Sequence, residues 1–99
     1  MRPHEEWLYK AEHDLESSNY LLTAPQPLFD IAVYHTHQCA EKSLKAYLAF
    51  REREIEKTHN LKMLAEICIE MDTEFNTLLD DCIFLNPFAT LYAKYTEFC

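Results

Sequence analysis

Glycine is absent from all 99 residues. It is the usual residue wherever the backbone needs positive φ, above all in tight hairpin turns. Its absence argues against a β-rich fold and for helices joined by loops. It also removes two kinds of site, the Gly-x-Ser-x-Gly nucleophile elbow and the glycine loop that cradles phosphate. No segment alternates apolar and polar residues over a useful length, so no strand is read. Positive charge is scarce: 9 Lys and Arg stand against 17 Asp and Glu, a net charge of −8. Such a surface repels a polyanion, so RNA would have to meet a local basic patch or a groove formed by assembly. A solvated exterior explains the acidity without any partner. There is no Cys-x-x-Cys pair, no signal peptide and no apolar run able to span a bilayer. Cys39, Cys68, Cys82 and Cys99 therefore read as small core residues in a reducing cytoplasm.

What is present is a single domain over residues 1–99, all-α, expected as an up-down antiparallel bundle of four to five helices. A first helix is expected over His4 to Leu22, with Pro3 at its start and Glu5 and Glu6 in its first turn. Leu8, Ala11, Leu15, Ser18 and Leu22 recur at three- and four-residue steps and predict its buried stripe. The prolines of Thr23-Ala-Pro-Gln-Pro27 end it. The longest helix is expected over Phe29 to Glu52. Ala32, Cys39, Ser43 and Ala46 give it one face of small residues that lets a neighbour approach closely. A third helix follows over Asn60 to Glu70, with Thr58 or Asn60 as its cap. A fourth is expected over Glu74 to Phe84, capped by Asp72 or Thr73, buried through Phe75, Leu78, Leu79 and Cys82 and broken at Asn86-Pro87. The charged run Arg51 to Lys57 reads as a solvated helix end and loop.

The face of the long helix opposite the small residues carries a polar stripe: His35, Gln38, Glu41, Lys42 and Lys45. Lys42 and Lys45 can hold phosphate as point charges, and His35 can donate or accept near neutral pH. The same stripe can equally form a polar network between helices or a subunit contact. His35 and Cys39 share a face, as zinc ligands would, but His37 points elsewhere and no second ligand pair has metal spacing. Glu56-x-x-His59 is half of a di-iron motif, which needs a second copy and two more carboxylates. No metal and no cofactor are expected. Phe88, Tyr92, Tyr95 and Phe98 can stack on bases or, as terminal aromatics more often do, cover a subunit interface.

The stretch Asp30-Ile-Ala-Val-Tyr-His-Thr-His-Gln-Cys-Ala-Glu-Lys-Ser-Leu-Lys-Ala-Tyr-Leu48 resembles the signature helix of HEPN domains. That helix carries Tyr-His, a Gln three residues later, then Ala-Glu-Lys, Leu-Lys and Tyr. Trp7, Ala11, Asp14 and Leu15 resemble the family's opening helix. Lys57-Thr-His-Asn-Leu61 resembles its Lys-Thr-His-Asp-Leu turn, and Leu85-Asn86 with Ala93-Lys-Tyr95 resembles the region that often reads Thr-Arg-Tyr-Pro. The likeness covers nearly the whole chain, and the long helix is its specific part.

The resemblance implies a helical module that binds a nucleotide or a nucleotidyltransferase partner, as a homodimer, in a toxin–antitoxin-like pair in the cytoplasm. His35, Gln38, Lys42, Lys45, Lys57, His59 and Lys94 would face the ligand. A second implication is a metal-independent RNase, since such members carry Arg, four to six residues, then His. Arg53 and His59 have that spacing but lie earlier in the chain than the family's pair, and no arginine follows them. They would have to meet across a dimer cleft. A third is a helical dimerisation domain without a ligand. Lys94 replaces the family's usual arginine, and lysine lacks the bidentate fork. Relatives of this kind continue into a further long helix, so the resemblance implies a shortened form or a core completed by another subunit.

Overall fold

The computed structural model describes residues 1–89 and consists of four α-helices with no strand among those residues. Helix α1 spans Pro3–Thr23, α2 Phe29–Phe50, α3 Leu61–Met71 and α4 Leu79–Leu85, the last entered through a 3-10 turn at Thr73–Leu78. The fold is the expected all-α antiparallel bundle. Helices α1 and α2 form a long hairpin, and α3 and α4 close over the second half of α2.

Local chemistry sets the helix ends. Pro3 opens α1, and the Arg2 backbone N–H donates to the Glu5 carboxylate at 3.3 Å. Asn60 caps α3 by accepting from the Met63 N–H at 3.0 Å, and the Thr58 hydroxyl accepts from the Asn60 N–H at 3.1 Å. Asp72 accepts from the Glu74 N–H at 3.0 Å and starts the 3-10 turn.

Helix α2 stops two residues before the expected Glu52. The Arg53 N–H returns to the Leu48 carbonyl and the Glu52 N–H to the Ala49 carbonyl, both at 3.0 Å. That pair of bonds is a Schellman motif, which places Glu52 in the left-handed region at φ 55°. A chain without glycine has no strain-free residue to offer there. The expected fourth helix is likewise shorter: Thr73–Leu78 is wound as 3-10, and Leu78, expected in the core, is 44% exposed.

The main core gathers Leu44 and Leu48 of α2, Leu61, Leu64, Ala65 and Cys68 of α3, and Cys82 of α4. Phe75 packs on Tyr47 with ring centroids 4.5 Å apart. Burial pushes the Cys68 thiol up to about 11 and also raises Cys39 and Cys82, so these are packing thiols and not nucleophiles.

The interface between α1 and α2 differs from the expected one. Of the predicted stripe only Ala11 and Ser18 are buried, and the third buried residue is Asp14. Leu8, Leu15 and Leu22 are 45%, 48% and 43% exposed. The helix is turned by roughly 50° from the phase its leucines would choose. The reason lies in α2, which offers small residues and a polar cluster, and Asp14 answers that cluster.

Candidate functional site

Two buried carboxylates organise the polar residues of α2. Asp14, on α1, accepts from His35 Nδ1 at 2.9 Å through one oxygen and from Lys42 Nζ through the other. One turn on, the Ser18 hydroxyl donates to Thr36 Oγ1 at 2.8 Å, because Thr36 spends its own proton on the Ala32 carbonyl. Glu41, on α2, accepts from Lys45 Nζ at 3.1 Å and from His59 Nδ1 at 2.8 Å. Each carboxylate thus holds one lysine and one imidazole. A carboxylate oxygen accepts here, so both histidines donate through Nδ1.

The predicted stripe therefore does not stand in solvent as a unit. Lys45 has a side chain only 8% exposed and lies 5.6 Å from the centroid of the Trp7 ring. Lys42 and His35 are half-buried and bound to Asp14. Gln38 donates to His37 Nδ1 at 3.4 Å. Helix α1 covers the residues that the wheel assigns to an open polar face. His35 keeps one free edge, on an open cleft of about 500 Å³ lined also by Glu16, Tyr20 and Ile31.

His59 is placed otherwise. It sits in the loop just before α3, 77% exposed, with its Nδ1 held by a carboxylate that is itself 4% exposed. Its ring borders a pocket of about 310 Å³ shared with Asn60, Asn86 and Pro87. The pocket walls are tied together: Asn86 accepts from the Leu61 N–H at 2.8 Å and donates to Asn60 Oδ1 at 3.2 Å. This joins the end of α4 to the start of α3. The site thus has a fixed frame, an imidazole with a set tautomer and an open Nε2. Lys57 is exposed two residues earlier. Lys94, and the terminal aromatics Tyr92, Tyr95 and Phe98, lie outside the described residues. Phe88 packs on Phe84 at 5.8 Å between centroids.

Arg53 and His59 are not brought together within one chain. Arg53 reaches Glu70 near the end of α3 at 3.9 Å, while His59 adjoins its start. At 1.5 Å per residue those ends are about 13 Å apart. Among the described residues no group of three or more His, Cys, Asp or Glu side chains could hold a metal ion, and no helix is long and apolar enough to cross a membrane.

One residue that the sequence reading left aside is His37. It is fully buried beside the core, and burial lowers its pKa from the ordinary histidine value, opposed by Glu41 and the His59 backbone. It is thus neutral. Its Nδ1 accepts from Gln38, so Nε2 carries the hydrogen, and Nε2 has no partner of full hydrogen-bond geometry among the described residues. The helical wheel held the signal, because His37 falls on the side of Leu44 and Leu48.

No curated protein and no solved structure matches the chain. A family model does, that of the HEPN domain, over residues 4–97. That span takes in both carboxylate clusters, the His59 loop and the whole helical frame just described, and the chain belongs to the HEPN domain family.

Proposed function

We propose that this HEPN domain is a nucleotide- or RNA-handling module whose ligand-facing group is His59, oriented from behind by Glu41. One observation carries the reading: an imidazole 77% exposed is nevertheless fixed at Nδ1 by a buried carboxylate. Holding one ring nitrogen sets the tautomer and aims the other, which is what recognition of a phosphate or hydroxyl needs. A surface histidine without such a task has no use for an acceptor kept in the interior. Lys57, exposed two residues earlier in the chain, adds a positive charge nearby, and the Asn60–Asn86 clasp ties the pocket wall together. His35 is a secondary contact, since its free edge opens on a separate cleft.

The test is equilibrium binding of ATP, AMP and a short single-stranded RNA to wild type and His59→Gln, with circular dichroism as the control for folding. Binding that weakens about tenfold in the variant supports the reading, since that is the share of one charge-assisted hydrogen bond. Equal affinity in wild type and variant, or none in either, rejects it.

The same dyad supports a second reading, a metal-independent RNase in which His59 Nε2 takes the 2′-hydroxyl proton. It requires an arginine from elsewhere, because Arg53 of the same chain is held at the far end of α3 by Glu70. Cleavage of RNA in the presence of a chelator, abolished in His59→Gln, would favour it. The likeness of the long helix to HEPN proteins paired with nucleotidyltransferases supports placing this chain in such a toxin–antitoxin-like pair in the cytoplasm. It equally supports a homodimer, to which the terminal aromatics would contribute.

A further inference from the structure

His59 is met from the interior by two residues of α2. His37 lies one turn before Glu41, so the two side chains leave the helix on the same face, and both are buried. Glu41 takes the His59 ring at Nδ1, 2.8 Å away. The His37 ring faces the same residue, since the His59 backbone favours its protonated form as a hydrogen-bond partner does. Of the backbone groups only a carbonyl can do this, because it accepts from the ring N–H and an amide N–H cannot.

The bonds around the loop leave these two groups to each other. With Nδ1 accepting from Gln38, His37 carries its hydrogen on the buried Nε2. Beside His59, the Thr58 N–H donates to the Glu56 carbonyl at 2.9 Å, the Asn60 N–H to the Thr58 hydroxyl at 3.1 Å, and the Leu64 N–H to the Asn60 carbonyl at 3.1 Å. The His59 carbonyl takes no backbone N–H among the described residues. An unpaired buried donor next to a carbonyl without a donor is a natural pair. The contact is looser than a full hydrogen bond, so its effect is on the direction of the loop more than on the stability of the fold. A carboxylate on the ring alone leaves the backbone free to slide and carry the ring with it. Holding the carbonyl and the ring nitrogen together leaves the side chain one direction. We propose that His37 is a positioning residue for His59, its buried N–H steadying the His59 carbonyl while Glu41 holds the ring. Its consequence for binding rests on the proposed role of His59, whereas the contact itself does not.

The experiment compares two variants of the full chain. His37→Gln keeps a donor at a similar reach, and His37→Leu keeps the bulk and loses the donor; circular dichroism checks that both fold. The first readout is the His59 Nδ1 and Cε1 NMR signals of the ligand-free protein. The second is affinity for a short single-stranded RNA and for ATP. The expected result is one sharp His59 set in wild type and in His37→Gln. In His37→Leu the set should be shifted or broadened and binding about fivefold weaker, the share of one neutral hydrogen bond. Unchanged His59 signals in His37→Leu would overturn the proposal and leave the nucleotide reading standing. Equal disturbance by both variants would also overturn it, because His37 then acts through packing and not through its N–H. Absence of binding in wild type sinks the nucleotide reading instead, and the ligand-free signals still decide the role of His37. If His37→Leu melts too low to measure, His37→Asn, whose amide is one methylene shorter than that of glutamine, is judged by the same criteria.

Discussion

Replacing Glu41 by leucine removes the only acceptor among the described residues that holds Lys45 inside the domain. The ammonium lies on a side chain 8% exposed, 3.1 Å from a carboxylate that is 4% exposed. Breaking a buried pair by deleting one member costs about 3–5 kcal/mol, because the remaining charge is left unsolvated. Trp7 offsets a little of this through its ring face at 5.6 Å, so the lower end, about 3 kcal/mol, is the expected loss. His59 adds little, since its exposed Nδ1 regains water. A domain of this size has about 5–15 kcal/mol in total. The variant should therefore melt about 12–24 °C lower, at ~4–8 °C per kcal/mol. Lys45→Met alone leaves a buried carboxylate that still has His59 and should cost about 1–2 kcal/mol. The double variant Glu41→Leu with Lys45→Met has no buried charge and should return to within about 1 kcal/mol of wild type. Urea denaturation followed by circular dichroism gives all four free energies and their coupling. A loss below about 1 kcal/mol for Glu41→Leu, or costs that simply add in the double variant, would refute a buried interdependent pair.

Further outcomes follow from other parts of the fold. His37 has a lowered pKa because it is buried, so below pH ~6.5 the unfolded chain takes up a proton that the folded chain refuses. Its contribution is complete above that pH and is lost as pH falls. Stability should decline by up to ~1.4 kcal/mol per pH unit, and His37→Leu should flatten that decline. The same variant removes a buried N–H without a partner of full hydrogen-bond geometry among the described residues, so at pH 7 it should be neutral or stabilising; a large loss would mean that Nε2 is satisfied. Glu52→Gly relieves the left-handed residue at φ 55° and should raise stability by about 0.5–1 kcal/mol in a denaturant titration. Leu64→Ala, at a fully buried core position, should cost about 3 kcal/mol.

The frame was legible because its signals are local. Proline at Pro25 and Pro27, the Asn60 cap and Asn86-Pro87 each act on the backbone around them, and the helices begin and end close to where those residues require. The rotation of α1 was not legible from α1. Leu8, Leu15 and Leu22 state the stronger preference of that helix, and Asp14 wins only because His35 and Lys42 wait on α2. A pairing across 21 and 28 residues is invisible to periodicity. The polar stripe on α2 was read from a helical wheel drawn for one helix, and a wheel does not show that a second helix covers it. The winding of Thr73–Leu78 as 3-10 has the same origin, since the last apolar residues reach the core in that form.

The central claim is that α1 and Glu41 hold His35, Lys42 and Lys45 as structure, and that His59 is the imidazole offered outward. Histidine side-chain NMR during a titration with a short RNA, repeated with ATP, addresses it directly. The Nε2 and Cε1 signals of His59 should move with ligand and saturate while those of His37 stay in place and His35 shifts little. Large shifts at His35 and at the lysine ammonium groups with His59 unmoved would contradict the account.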